Sequence, residues 1–212
     1  MLGEKEILTL KIRTEKQSHS NEHLTIAEMG KLWASYVGNT MGKCVLQFFL
    51  KHIEDKDIKK ILEHSLELSE TFIQDIKKIF IKENFPIPMG FSEEDVNLKA
   101  PRLFADEFYL HYLKYTGKAG VSIYSAAIPL VTRKDVSDFF YHALDLTAKL
   151  MMDVNKVMME KGFLTNAPIL PAPKKIQIVD SQRFLKGYLG NVRPLHGLEV
   201  AHLFGNINND VT

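Results

Sequence analysis

A transition-metal centre inside a helical bundle needs carboxylate and imidazole ligands on inward faces, with Glu-x-x-His pairs on two of the helices. No such pair occurs in the second or fourth expected helix; the nearest arrangements there run in the reverse order, His64 to Glu67 and His142 to Asp145. Both sit on charged rows, the first with Lys60 and Thr71, the second with Asp138 and Lys149. They are therefore expected to be solvated surface pairs, each contributing about 0.2–0.5 kcal/mol. His111 shares a helical row with Phe104, Phe108, Tyr115 and Ser122. It is expected to point into a core, where a buried imidazole needs a partner; Tyr36, Tyr115 and Ser65 are the candidates. A satisfied core histidine is the expected role, with a ligand or catalytic role as the alternative. Cys44 lies among apolar residues, and its basic neighbour Lys43 projects elsewhere, so packing is expected rather than nucleophilic chemistry. Met151, Met152, Met158 and Met159 read as adaptable core and edge filler, with a methionine-rich partner surface as the alternative. No catalytic, cofactor-binding or metal-ligating residue is assigned, and no cofactor is expected.

The elements that must position these residues are helices. Thr25-Ile26-Ala27-Glu28 is a capping box, flanked by Leu24 and Met29 at the positions of a hydrophobic staple. Apolar residues then recur at helical period from Ile26 through Trp33, Tyr36, Cys44 and Phe49 to about Ile53. Asp55 is the expected cap of a second helix, with Ile58, Leu62, Phe72, Ile76 and Ile79 on its stripe. Helix-breaking chemistry follows at Phe85-Pro86-Ile87-Pro88-Met89-Gly90, and the loop continues to about Ala100. Pro101 suits the first turn of a third helix. That helix becomes rich in small residues (Gly117, Ala119, Gly120, Ala126 and Ala127) before Pro129, so a neighbouring backbone is expected to approach closely. Thr132-Arg133-Lys134-Asp135 resembles a weaker capping box and opens a fourth helix that ends at Lys161-Gly162. The expected core includes Trp33, Phe48, Leu62, Phe72, Phe108, Phe140 and Leu150. The fold class is all-α: an antiparallel four-helix bundle over residues 24–162, preceded by a poorly ordered extension over 1–23.

Composition narrows the function. The 212 residues carry 27 Lys+Arg against 26 Asp+Glu, a net charge of +1, which argues against a nucleic-acid partner. The longest uncharged run, Ala119 to Thr132, contains Pro129 and falls short of the roughly 20 residues that span a bilayer. The start carries Glu4 and Glu6 and lacks a signal-peptide core. One cysteine fits a reducing compartment, so a cytoplasmic location is expected.

After Gly162 the helical pattern is lost. Pro168, Pro171 and Pro173 predict an extended, polyproline-prone linker over 163–193, with Ile176 to Val179 as a short strand-like piece. Leu24, Glu28, Met29, Gly30, Leu32, Trp33 and Asn39 then find counterparts 171 positions later in Leu195, Glu199, Val200, Ala201, Leu203, Phe204 and Asp210. His196 replaces the threonine cap. Such spacing points to tandem duplication of a whole domain, with residues 194–212 as the truncated start of a second bundle. Fraying is expected from about residue 205.

The chain resembles a bacterial domain of unknown function, family number 3231, found mainly in endospore-forming bacteria. The resemblance is most specific at Asn84-Phe85-Pro86-Ile87-Pro88-Met89-Gly90-Phe91-Ser92-Glu93-Glu94-Asp95-Val96-Asn97, at Ala100-Pro101-Arg102-Leu103-Phe104 and at Arg193-Pro194-Leu195. It implies two ferritin-like four-helix bundles in tandem, often labelled spore-coat-like, and no established reaction. Two function classes follow. One is a non-enzymatic structural or interaction protein, spore-associated, whose bundle packs against protein partners that the sequence does not identify, a homo-oligomer being one option. The other is a ferritin-like metal-dependent oxidoreductase, which the missing inward carboxylates disfavour.

Overall fold

A computed structural model describes residues 23–164, 169–170, 172–176, 178 and 195–210. Four long helices form the first unit: α1 (Ile26–His52), α2 (Lys56–Lys82), α3 (Asp106–Ala127) and α4 (Lys134–Glu160). They pack as two antiparallel hairpins, α1 with α2 and α3 with α4, and no strand occurs among the described residues. The Asp106 carboxylate at the head of α3 accepts the amides of Glu54 and Asp55, the latter at 2.8 Å. The third helix therefore starts beside the turn between α1 and α2 and runs in the direction of α2. The chain reaches that point through a crossover strap, residues 83–105, which carries a 3₁₀ turn at Glu93–Asp95. One long crossover in a four-helix bundle is the ferritin-like connectivity.

The first two helix starts follow their local chemistry. Thr25 and Glu28 form the reciprocal capping box, and Asp55 accepts the amides of Asp57 and Ile58. Gly162 takes a φ of +73° just after α4, the left-handed position where a helix stops most cheaply on glycine. The other two starts differ from expectation. Pro101 does not open α3; residues 101–105 stay non-helical, with the Arg102 guanidinium donating to the Phe104 carbonyl and to Asp106. At α4 neither Thr132 nor Asp135 makes the expected box. The N-cap is Arg133, which has no side-chain cap, and the amides of Thr132 and Arg133 go to Glu28 of α1, each at 2.9 Å.

The strap explains its own sequence. It crosses α1 over a stripe of Tyr36, Thr40 and Cys44, three buried residues spaced one helical turn apart. The Phe91 amide donates to Thr40 Oγ1 at 3.1 Å, and the Cys44 thiol donates to the Ser92 carbonyl at 3.2 Å. Gly90 lies so close that a Cβ there would sit 2.8 Å from Thr40 Oγ1 and 2.9 Å from the Tyr36 ring.

Phe48, Leu62, Phe72, Phe140 and Leu150 are buried as expected. Trp33 and Phe108 are not: they are 53% and 39% exposed. On α1 the core is taken by Leu32, Leu46 and Phe49 and the strap takes Tyr36, Thr40 and Cys44, leaving Trp33 outside both. Phe108 rests on the rim, stacked on Phe104 at 4.1 Å between ring centroids and edge-on to Phe49 at 6.3 Å. The small residues of α3 do admit a neighbour: Met151 of α4 fills the place where a Gly117 Cβ would stand.

The second unit begins at residue 165. Its clear element is α5 (Gly197–Asp210), which extends past the expected fraying point. Glu199 accepts the His196 amide at 3.0 Å, while His196 Nδ1 accepts the amides of Leu198 and Glu199. An imidazole thus does here what the Thr25 hydroxyl does for α1. Residues 1–22, Pro168, Pro171 and most of the 163–193 segment lie outside the described residues, as do parts of the expected strand; Ile176 and Ile178 are not in a strand.

Candidate functional site

Between the two hairpins, midway along the bundle, lies a cavity of about 300 Å³. Its walls are built where α1 and α3 carry small residues: Ala34, Ser35, Gly38 and Gly42 on one side, Thr116, Gly117, Ala119 and Gly120 on the other. Short side chains at these positions leave the space that two large apolar stripes would have filled. The floor is apolar, with Leu46, Leu68, Phe72, Leu113 and Leu150. Met41, Tyr115 and Ile123, all exposed, stand at the opening between α1 and α3.

The polar groups at the cavity are neutral. Asn39 Nδ2 donates to the Ser35 carbonyl at 2.7 Å and to the Tyr124 hydroxyl at 3.0 Å. Burial holds the Tyr124 phenol above its ordinary pKa, against the smaller opposing effect of the Asn39 bond, so it stays protonated. Burial alone raises Tyr112 in the same way. Ser35 is 3% exposed, and its hydroxyl has no hydrogen-bond partner. Serine and threonine hydroxyls at Ser65, Ser69, Thr116 and Thr147 complete the lining.

This is the place where a ferritin-like bundle would hold two metal ions, and the residues present do not fit them. No aspartate, glutamate, histidine or cysteine lines the cavity. Among the described residues no three such side chains gather as a metal-holding group anywhere. Hydroxyls and one amide, without a carboxylate to balance the charge, are a poor donor set for iron or manganese.

Charge is concentrated instead at one end of the bundle. Glu28, 1% exposed, accepts from the Thr25 amide and hydroxyl and from the amides of Thr132 and Arg133. Burial pushes its pKa up, but the backbone donors of Arg133, Thr25 and Thr132 outweigh that and hold it below the usual range. The Arg133 guanidinium pairs with Asp135 through two bonds of 2.7 and 3.0 Å and with Glu83 at the end of α2. One node thereby ties the ends of α1, α2 and α4: Arg133 serves both Glu83 and Asp135, Lys82 also reaches Asp135, and Glu28 is held by backbone amides and the Thr25 hydroxyl. At the opposite end Lys161 bridges to Asp55 and Asp57. These are structural clamps.

The residues singled out from sequence are not brought together. His111 points outward: its side chain is 45% exposed and pairs with Glu107 at 3.5 Å. The expected inward row of Phe104, Phe108, His111, Tyr115 and Ser122 is exposed, while Tyr109, Leu110, Leu113, Gly117 and Tyr124 face the core. Aromatic residues around most of α3 make its inward face hard to choose by periodicity, and Phe104, at the head of that row, lies before the helix begins. His111 is thus no core histidine. Tyr115 lies at the cavity opening, Ser65 on the lining and Tyr36 under the strap.

Cys44 is buried packing, as expected, and burial followed by the nearby Asp95 charge pushes its thiol up, away from reactivity. His64 and Glu67 form an exposed pair at 3.9 Å, and His142 and Asp145 are exposed. Met158 is buried, Met151 lines the cavity, and Met152 and Met159 are exposed. Sequence reading missed Ser35, Asn39 and Tyr124. The available signal was the facing pair of small-residue runs on α1 and α3.

No curated protein matches the chain. A crystal structure from Bacillus halodurans C-125, described as a "putative spore coat protein", superposes with a TM-score of 0.65 at 17% identity. The match covers 73% of this chain and 100% of that chain, which establishes a shared fold. Among the described residues no helix is long and apolar enough to cross a membrane. A family described as "Protein of unknown function (DUF3231)" matches residues 13–176, a span that takes in all four bundle helices and the strap, and the chain belongs to that family.

Proposed function

We propose that the chain is a non-enzymatic structural or interaction protein, made in the cytoplasm and associated with the endospore, acting through surfaces and contacts of its bundle. The observation that carries this reading is the composition of the mid-bundle cavity. Hydroxyl, methyl and aromatic groups occupy the place where an oxidoreductase of this architecture would put its carboxylates. Among the described residues the buried charged ones, Glu28 and Arg133, are consumed in holding helix ends together. The fold shared with a protein described as a "putative spore coat protein" supports the spore setting.

The test is fractionation. An epitope-tagged full chain is expressed in an endospore-forming bacterium, and sporulating cultures are separated into mother-cell extract, coat extract and core. The reading expects the tag in the coat extract. Recovery from the mother-cell extract alone removes the spore association.

A further inference from the structure

We propose that the side of the bundle formed by α1 and α3 is a self-association surface, and that its partner is the same face of a second copy of this chain. This rests on the interaction reading above and names a surface and a partner for it. Spore fractionation is blind to copy number, so either can fail without the other.

The face is apolar where a solvent-facing side would normally be charged. The outward sides of α2 and α4 carry exposed Lys59, Lys60, Glu63, Asp138, Asp145 and Lys149. On α1, by contrast, every exposed position from Ile26 to Met41 is isoleucine, alanine, glycine, tryptophan or methionine. The charged residues of that stretch, Glu28 and Lys31, are buried and half-buried. On α3 Phe108, Tyr115, Ala119, Ile123 and Ala126 recur at helical spacing and are all exposed. His111, near the start of that row, is paired with Glu107. Ala34, Gly38 and Met41 line the same opening as Tyr115, Ala119 and Ile123, which puts the two rows on one side of the bundle. Phe108 and Tyr115 read as core residues in the sequence, yet the bundle core takes Tyr109, Leu110, Leu113 and Tyr124 instead. A helix that is apolar on two sides is written for burial on both.

Two observations point to a second copy. The first is area. At 1.5 Å per residue the shared face runs about 25 Å, and two helices side by side are about 20 Å wide. A footprint of about 500 Å² per copy gives about 1,000 Å² for a pair, the size at which a specific interface begins. Projecting side chains at Met41, Phe108 and Ile123 add to that flat estimate.

The second is charge. A strongly acidic or basic partner would bury its charges here without a counter-charge. A second copy brings a face that is uncharged over the same length and avoids that cost. Its relief also fits: the projecting side chains stand on the same face as Gly30 and Gly38, around whose Cα atoms a Cβ would meet nothing within 4 Å. Projections and recesses on one surface are what a two-fold pairing requires.

Sedimentation velocity of the full chain, from about 1 to 200 μM, is expected to show a dimer that dissociates on dilution. Oxidation by dilute hydrogen peroxide in the same samples locates the contact. Met41 should be oxidised at least about threefold more slowly in the dimer than in the monomer, while Met152 and Met159, exposed on α4, keep their rates. Ala34→Glu and Ala119→Glu sit at exposed positions and should leave the fold intact. Each places a carboxylate that a two-fold contact meets twice, and each should weaken dimerisation about a hundredfold. Lys156→Glu, on the exposed side of α4, should leave it unchanged. A monomer throughout the range would overturn the proposal. So would a dimer in which Met41 is oxidised as fast as in the monomer, or one that both alanine variants leave intact. Met41 shielded equally at every concentration would assign the face to another segment of this chain, and would overturn it as well.

Discussion

Replacing Glu28 with alanine should be among the most damaging single changes in the bundle, although the residue is a carboxylate. Its side chain accepts from the Thr25 amide and hydroxyl and from the amides of Thr132 and Arg133. Loss of the capping box costs about 0.5–2 kcal/mol. Each of the Thr132 and Arg133 amides at the entry to α4, left without an acceptor where they are shielded from water, adds about 1–3 kcal/mol. Water reaching the more exposed Thr132 trims the sum, so Glu28→Ala is expected to cost about 3–5 kcal/mol. That is a large part of the roughly 5–15 kcal/mol typical of a domain, and near 2–4 °C per kcal/mol it lowers the melting temperature by about 6–20 °C.

Glu28→Gln keeps the shape but turns an NH₂ toward donors, and should cost about 1–3 kcal/mol. The pH dependence separates the carboxylate from mere packing. Because the folded pKa of Glu28 lies below its unfolded value of about 4.3, its stabilisation is complete above pH 4.3. It is lost as the pH falls through the folded pKa. The Glu28→Gln variant should therefore lose less stability than wild type on going from pH 6 to the acid limb. Urea melts at several pH values measure both effects. A cost below about 1 kcal/mol for Glu28→Ala, or parallel acid profiles for wild type and Glu28→Gln, would refute the role given to this node.

Phe72→Ala and Phe140→Ala should each cost about 3–5 kcal/mol in urea melts, whereas Trp33→Ala, at a half-exposed site, should cost less than about 1 kcal/mol. Gly90→Val should lift the strap from Thr40 and cost about 1–3 kcal/mol, with faster hydrogen exchange of the Phe91 amide as its local signature. In α5, where Leu198, Leu203 and Ile207 are exposed, amides from residue 206 onward should exchange fastest and those before Phe204 more slowly. Strong protection through Asn209 in a monomeric sample would contradict this.

What could be read from residue types was mostly what local chemistry decides. Thr25 with Glu28, Asp55, and Lys161-Gly162 mark three helix boundaries because a cap needs only its own neighbours. Glu28 also shows where such reading stops. Its second pair of hydrogen bonds joins residues more than a hundred positions away, and no local pattern announces that. The Pro-Ile-Pro-Met-Gly run is legible as a loop, but its docking on Tyr36, Thr40 and Cys44 is not, since those three read equally well as a core stripe. On α3 an aromatic on nearly every side hid the inward face, which is why His111 and Phe108 were expected inside. The cavity escaped because it comes from what two helices lack, and small residues on α3 alone predict only a close approach.

The central claim is that this bundle, although built with ferritin-like connectivity, is not organised around a metal centre. Metal content of the purified full chain, measured by mass spectrometry after growth in iron- and manganese-supplemented medium and exhaustive dialysis, tests it most directly. The cavity lining of hydroxyls and apolar groups leads us to expect iron and manganese well below one equivalent per chain. One or two equivalents of either metal, retained by wild type and lost on replacing residues of the cavity wall, would contradict the account and restore the oxidoreductase reading.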